Sequence, residues 1–344
     1  MEFVDLRAEY IAFSQCIEKR WKRIKQSGRY LFGDQILELE KRFPKVIGKS
    51  YGIAVGSATD ALMLTLLHVY KKGMSIIVPN FGAYPTATVC RHITDRLYYV
   101  DVDSSMTMDV DKLPDIKNGI IVPVHLFGNN CQMDKIMSYA KSNNHIVIED
   151  CAQSTGSGSG IHGDYSIFSF YPTKPLASMG DGGIICSNNS LDYFRKARVY
   201  GVEDDILGFN SRMDEFQAAV VNCKMDSLGM LNAKRIKTAM MYKEVVSGYT
   251  VNSTSVYHQF TIRFKNRDKI VKKLDSALIP YMIHYPRHVN EMSVLAGAIP
   301  SKVDYRVDDS ILSVPIHPYL TDVEVKQIME FLYGNRKEEI TDFH

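Results

Sequence analysis

The chain has no long hydrophobic run. Its longest markedly apolar stretch, Gly119 to Phe127, is far too short to cross a bilayer. Its N-terminus, MEFVDLRAEY, puts acids where a secretion signal needs basic residues and then an apolar run. Charge of one sign is missing too: 41 Lys and Arg against 39 Asp and Glu leave a formal net charge of +2. Neither nucleic acid nor a membrane surface is therefore favoured as a partner. With 22 Gly and 12 Pro, the chain is not collagen-like or low-complexity. The six cysteines (Cys16, Cys90, Cys131, Cys151, Cys186 and Cys223) contain no Cys-x-x-Cys pair, so metal-ligand spacing is absent and no metal is expected. In a reducing compartment they read as buried thiols rather than disulfides. These absences leave a soluble, cytoplasmic protein. Its 344 residues, 45% of them hydrophobic, suffice for a large core and about two domains at ~150 residues each.

The chain alternates helices and strands. Leu6, Tyr10, Phe13, Ile17 and Trp21 fall near one face of an opening helix that Gly28 ends. A second helix, Gln35 to Phe43, meets Pro44. Strand-like runs follow at Tyr51–Val55, Ser75–Pro79, Leu97–Val102, Gly119–Phe127, His145–Asp150, Tyr165–Tyr171 and Gly183–Ser187, with helical patterns such as Ala58–Tyr70 and Met133–Ser142 between them. Such alternation predicts an α/β fold with a mainly parallel sheet buried on both faces. After Met213 a long helical stretch runs toward Tyr249, interrupted near Gly229. A strand at Tyr257–Phe264 and helices at Arg267–Leu278 and Asp322–Tyr333 follow, and a polar tail from Gly334 to His344 is expected to fray. The reading is a large domain over 1–235 and a small α+β domain over 236–344.

The chemistry concentrates around three segments. GSATDA, Gly56 to Ala61, lies between a strand and a helix. Ser57 or Thr59 can cap that helix and leave backbone amides for an anion, although most such turns are only caps. Asp150 ends a strand at the sheet's carboxyl edge, where α/β sheets bind ligands; by itself it reads equally as a cap or a solvated acid. FSFYPTK, Phe168 to Lys174, places a lysine in a proline-fixed turn before the glycine-rich GDGG. A surface charge is the plain reading. A Schiff-base lysine, desolvated so that its amine is nucleophilic, is the functional one. Pyridoxal phosphate needs this set: an amine, an acid for the pyridine nitrogen and an anion hole.

The ordered segments GSATDAL, IVPN, VDVD, PVHLFGNNCQMD, VIEDCAQ, FSFYPTKPLASMGDGG and GFNSRMDEFQAA resemble the DegT/DnrJ/EryC1/StrS family of pyridoxal-phosphate sugar aminotransferases. The resemblance is dense over about residues 1–230 and thinner beyond, at His284–Pro286 and Val314–Asp322. It implies a fold type I aminotransferase acting as a homodimer with shared sites. Lys174 matches the lysine that bonds the cofactor and shuttles protons, and Asp150 the acid facing the ring nitrogen. Gln153 matches the glutamine beside the ring. Ser57, Ala58 and Thr59 match the phosphate cradle, Ser169 a further phosphate contact, and Asn210 an asparagine supplied by the partner subunit. The position of the stacking aromatic is Ala83, with Tyr84 beside it as the candidate. Substrate contacts are expected of His125, His284 and Tyr285, whereas Arg212 and Asp214 read as pairing and helix-capping residues.

The implied reaction carries an amino group from glutamate to a nucleotide-linked keto-deoxy sugar, in amino-sugar biosynthesis of the O-antigen and lipopolysaccharide kind. FYP before the lysine and GDGG after it resemble members that aminate C3, so a dTDP-3-keto-6-deoxyhexose is expected. Amination at C4 of a dTDP-4-keto sugar and a non-enzymatic regulator that kept the fold are the alternatives.

Overall fold

The computed structural model describes residues 1–249, 254–295, 299–300 and 309–338. Helix α1 (Leu6–Ser27) opens on Asp5, whose side chain accepts the Ala8 amide at 2.8 Å, and closes on Gly28 at φ +65°. Its expected apolar face is only partly used: Ile17 is buried, but Leu6 is 41% exposed, and the indole of Trp21 donates to the Phe216 carbonyl. Helix α2 (Asp34–Val46) contains Pro44 instead of stopping before it. Pro44 sits in the last turn, where few helical bonds remain to be lost, and its ring fills the space over Gly52.

Strands β1 (Tyr51–Val55), β2 (Ile76–Pro79), β3 (Leu97–Val100), β4 (Ile120–Ile121), β5 (Ile146–Asp150), β6 (Tyr165–Ser169) and β7 (Gly183–Ser187) form one sheet. The short β9 (Ile299–Pro300) joins it, in the order β1-β7-β6-β5-β4-β2-β3-β9. Only β7 runs against its neighbours, pairing antiparallel with β1 and β6. The expected strand Gly119–Phe127 is ordered as β4 for two residues only. Pro123 cannot donate to a ladder, and the chain turns at Leu126–Gly128 with Phe127 at φ +59°.

Both faces of the sheet are buried, as alternation along the strands shows. Ile53, Val55, Ile167 and Ile185 pack on one side with α3 (Ala58–Val69) and α4 (Tyr84–Ile93). Ala54, Phe168, Ile184 and Cys186 pack on the other with α2 and α7 (Glu215–Met225). Helices α5 (Met133–Asn143) and α6 (Asp192–Ala197) complete the flanks.

The helical stretch beyond Met213 breaks at Asp226–Ser227, not at Gly229, which lies within α8 (Leu228–Lys243). Helix α8 crosses position 235: Leu228 joins the core of α2 and α7, while Ala239 and Tyr242 join the C-terminal core. That second core lies between β8 (Phe260–Arg263), α9 (Arg267–Ser276), β10 (Ile311–Val314) and α10 (Asp322–Asn335). Of the polar tail, Gly334 and Asn335 finish α10 and Arg336–Glu338 add one 3-10 turn; 339–344 lie outside the described residues.

Two cysteines depart from expectation. Cys16 and Cys223 form a disulfide across 207 positions of sequence, because α1 packs along α7. The other four are buried free thiols. Among the described residues no helix is long and apolar enough to cross a membrane.

Candidate active site

A cavity of about 240 Å³ opens where β5 and β6 end and α3 begins. This is the carboxyl edge of the parallel strands, where the chain leaves the sheet and backbone groups are free for a ligand. At its base Ser57 caps α3, its hydroxyl accepting the amide of Asp60 at 3.0 Å. The amides of Ala58 and Thr59, both at the cavity wall, are left at the positive end of the helix, an anion site by construction. Gly183 makes the close approach possible: a Cβ there would lie 2.4 Å from the Ser57 carbonyl carbon. Ser169, only 6% exposed, borders the same space from the end of β6.

Asp150 enters from β5. One carboxylate oxygen accepts Thr86 Oγ1 at 2.7 Å and the other the Ala152 amide at 3.1 Å, which fixes the group while part of it still faces the cavity. Thr86 was not singled out from sequence. Pro85 beside it marks a helix start, but its bond to a residue 64 positions away had no local signal. Gln153 is held at both ends of its amide: Oε1 accepts the Phe127 amide at 2.7 Å and Nε2 donates to Tyr285 Oη at 3.1 Å. Lys174 hangs from a turn in which its amide donates to the Tyr171 carbonyl. It keeps part of its surface in the cavity but is otherwise enclosed. Loss of solvation, opposed by Asp150, brings its ammonium down to about 8.

Other residues fall elsewhere. Ala83, Pro85 and Thr86 line the cavity, but Tyr84 does not; its ring leans on Tyr285 at 5.6 Å. His125, for which a substrate contact was expected, is fully buried and does not line the cavity. Its Nδ1 accepts the Cys131 amide at 3.1 Å, so Nε2 carries the proton and donates to Glu149 at 3.0 Å. Tyr285 and His284, both half-buried, likewise do not line the cavity. Tyr285 stacks 6.4 Å from Phe127, and burial raises its hydroxyl to about 12. His284 pairs with Ser313 at 2.9 Å, and burial with the Lys174 charge lowers it to about 4. Asn210 is exposed and outside the cavity, yet its neighbour Ser211 accepts the Gly56 amide and donates to Asp60, which ties this loop to the base of α3. Asp214 caps α7 through the Gln217 amide, the structural role read for it.

An amine of lowered pKa, a fixed carboxylate, an oriented amide and a helix N-terminus around one cavity fit a phosphorylated pyridine aldehyde. The family model described as the DegT/DnrJ/EryC1/StrS aminotransferase family matches residues 13–333. The UDP-N-acetyl-3-dehydro-alpha-D-glucosamine 3-aminotransferase of Acidithiobacillus ferrooxidans is 31% identical, covering 94% of this chain and 95% of its own. The UDP-2-acetamido-2-deoxy-3-oxo-D-glucuronate aminotransferase of Pseudomonas aeruginosa is also 31% identical, covering 95% and 98%. A crystal structure of a DegT/DnrJ/EryC1/StrS aminotransferase from Brucella abortus superposes with a TM-score of 0.92 at 29% identity, covering 98% of this chain and 99% of that one. The chain belongs to the DegT/DnrJ/EryC1/StrS family and is a sugar aminotransferase of fold type I that works with pyridoxal phosphate.

Proposed function

We propose that this aminotransferase moves an amino group from glutamate to the C3 ketone of a nucleoside-diphosphate-linked sugar. The observation that carries the position is that both relatives, matched over nearly their whole length, act by name on 3-oxo or 3-dehydro sugars. The FYP-before-lysine pattern supports the same carbon. The two relatives use UDP-linked 2-acetamido sugars, which stand beside the dTDP-linked 6-deoxyhexose expected from sequence.

The cofactor, when bound, supplies an electron-withdrawing ring that makes the carbon next to the amino group acidic. The residues of this chain do the rest. Ala58 and Thr59 would hold the phosphate with their amides, and Ser169 would add a hydroxyl. Asp150, fixed by Thr86 and the Ala152 amide with a face left on the cavity, would pair with the ring nitrogen and favour its protonated form. Gln153, fixed by Phe127 and Tyr285 at the cavity wall, would hold the ring. Lys174 is nucleophile and then proton carrier, a double role that suits an amine at about 8. Asn210, exposed here, would reach the phosphate held by a second copy in a homodimer.

Incubation with glutamate and UDP- or dTDP-linked 3-keto and 4-keto sugars, with NMR location of the new amine, tests the position. Amination of 4-keto sugars alone overturns the C3 assignment. For the dimer, Lys174→Ala and Asn210→Asp proteins, each inactive, should recover activity when mixed. No recovery despite subunit exchange removes the shared site.

A further inference from the structure

Lys174 has two sides. One borders the cofactor cavity. The other closes a separate chamber of about 20 Å³, walled by the N-terminal segment at Asp5 and Glu9, by Arg235 of α8, and by His258 and Tyr319. Lys174 is the one described residue that borders both spaces. The chamber has room for one water, which needs roughly 10–15 Å³ and two to four polar partners.

The walls supply those partners selectively. The hydroxyl of Tyr319 is buried and has no hydrogen-bond partner among the described residues. Most neighbouring polar groups are already engaged. Arg235 donates to Asn232 at 2.9 Å and to the Pro175 carbonyl at 3.4 Å. His317 accepts the Tyr319 amide, Asp5 caps α1, and Glu9 pairs with Lys224 at 3.2 Å. His258, 6% exposed, is held well below its ordinary range by burial and by the charges of Lys174, Arg235 and His284. Its ring is therefore neutral and offers one nitrogen as an acceptor.

We propose that this chamber is a water site in which Tyr319 and His258 hold one molecule against Lys174, and that this water is the port through which Lys174 exchanges protons with solvent during turnover. The water site stands on the geometry alone; the port rests on the transamination proposed above. Lys174, once it has taken a proton from the donor's α-carbon, holds it as an ammonium. One N–H proton passes to the water as the water passes one to the His258 nitrogen; the reverse transfer returns a different hydrogen to Lys174, and the water, now holding the first, is replaced from solvent. No electron moves and no bond outside these N–H and O–H bonds changes. Tyr319 positions the water for that exchange, and His258 takes up its proton in transit.

Two measurements test it separately. A high-resolution crystal structure of the cofactor-free protein should show one ordered water within hydrogen-bond reach of Tyr319 Oη and the His258 ring; a dry chamber overturns the site. In the holoenzyme, glutamate deuterated at C2 should leave part of its label in the aminated cofactor, read by mass spectrometry after one half-reaction. Tyr319→Phe and His258→Leu should raise the retained fraction several-fold, because washout through the port is lost. His258→Gln, which accepts a hydrogen bond but cannot take up the proton, should stay near the His258→Leu value. A purely structural role would slow the half-reaction without moving the retained fraction, and unchanged retention in folded variants overturns the port. If native enzyme takes no amino group from glutamate, the donor reading falls, and the crystal still decides the water site.

Discussion

Glu149 and Asp150 are consecutive on β5, both acidic and both buried, yet they do opposite things. Strand geometry sends them to opposite faces of the sheet. Glu149, 0% exposed, is saturated: the amides of Gly160, His162 and Gly163 donate at 2.9, 2.9 and 2.6 Å, and His125 at 3.0 Å. Burial alone would raise its carboxyl, but His125 and those amides hold it down at about 2. Asp150 has two protein donors and a remaining face on the cavity. An acid whose bonds are all met from within the fold holds the loop over 160–163 in place. An acid left one side short is available to a ligand.

The contrast can be broken in order of expected effect. Lys174→Ala should lower turnover at least about 10³-fold, since nucleophile and proton carrier are lost together. Borohydride reduction of native protein followed by peptide mapping should place the cofactor on Lys174. Asp150→Asn should cost about 10²–10⁴-fold in kcat with stability nearly unchanged, because Thr86 keeps a partner. Glu149→Gln should reverse that balance: chemical denaturation should show a loss of ~3–5 kcal/mol, while each folded molecule keeps most of its activity.

Titration sharpens the same comparison. Glu149 is depressed from 4.5 to about 2, so its contribution of ~3 kcal/mol is present above pH 4.5 and lost as pH falls toward 2. Acid unfolding of Glu149→Gln should lack that component. Lys174 has the opposite effect. Its ammonium is disfavoured in the folded chain, so cofactor-free protein gains stability as pH rises from about 8 toward 10.5. Lys174→Met should therefore stabilise that form at pH 7, by no more than ~2 kcal/mol given the lysine's partial exposure, and the gain should vanish above pH 10.5. The smallest effect is expected for Tyr285→Phe, which removes one hydrogen bond to Gln153. Loss of ~1 kcal/mol of positioning should appear as a several-fold fall in kcat with KM for glutamate little moved.

Much of the scaffold was legible because it rests on local periodicity. The alternation of Ile53, Ala54 and Val55, or of Ile167 and Phe168, announces a strand buried on both faces, and each residue packs on the side its parity demands. Lys174, Asp150, Gln153, Ser169 and the turn over 57–59, which the fold gathers around one cavity, stand out as candidates in the sequence because each sits in a segment whose residue types suit one chemistry. Tyr84 and His125 do not line that cavity, for one shared reason. A resemblance aligns positions along the chain, but whether a ring faces the cavity depends on where α4 begins and on what lies behind β5.

By itself the sequence determined the strand and helix alternation, the mainly parallel sheet and a set of candidate residues whose chemistry suits pyridoxal phosphate, since period and residue type are properties of neighbours in the chain. Tertiary structure alone decided the pairings between distant residues. It joined Cys16 to Cys223, set Thr86 on Asp150, clamped Gln153 with Tyr285, and brought Gly33, Gln35 and Ile36 onto the buried carboxylate of Glu215. Each of these unites groups from 64 to more than 200 positions apart. Such contacts form only when whole helices and strands pack, and no local pattern of side chains records which partners that packing will bring within 3 Å.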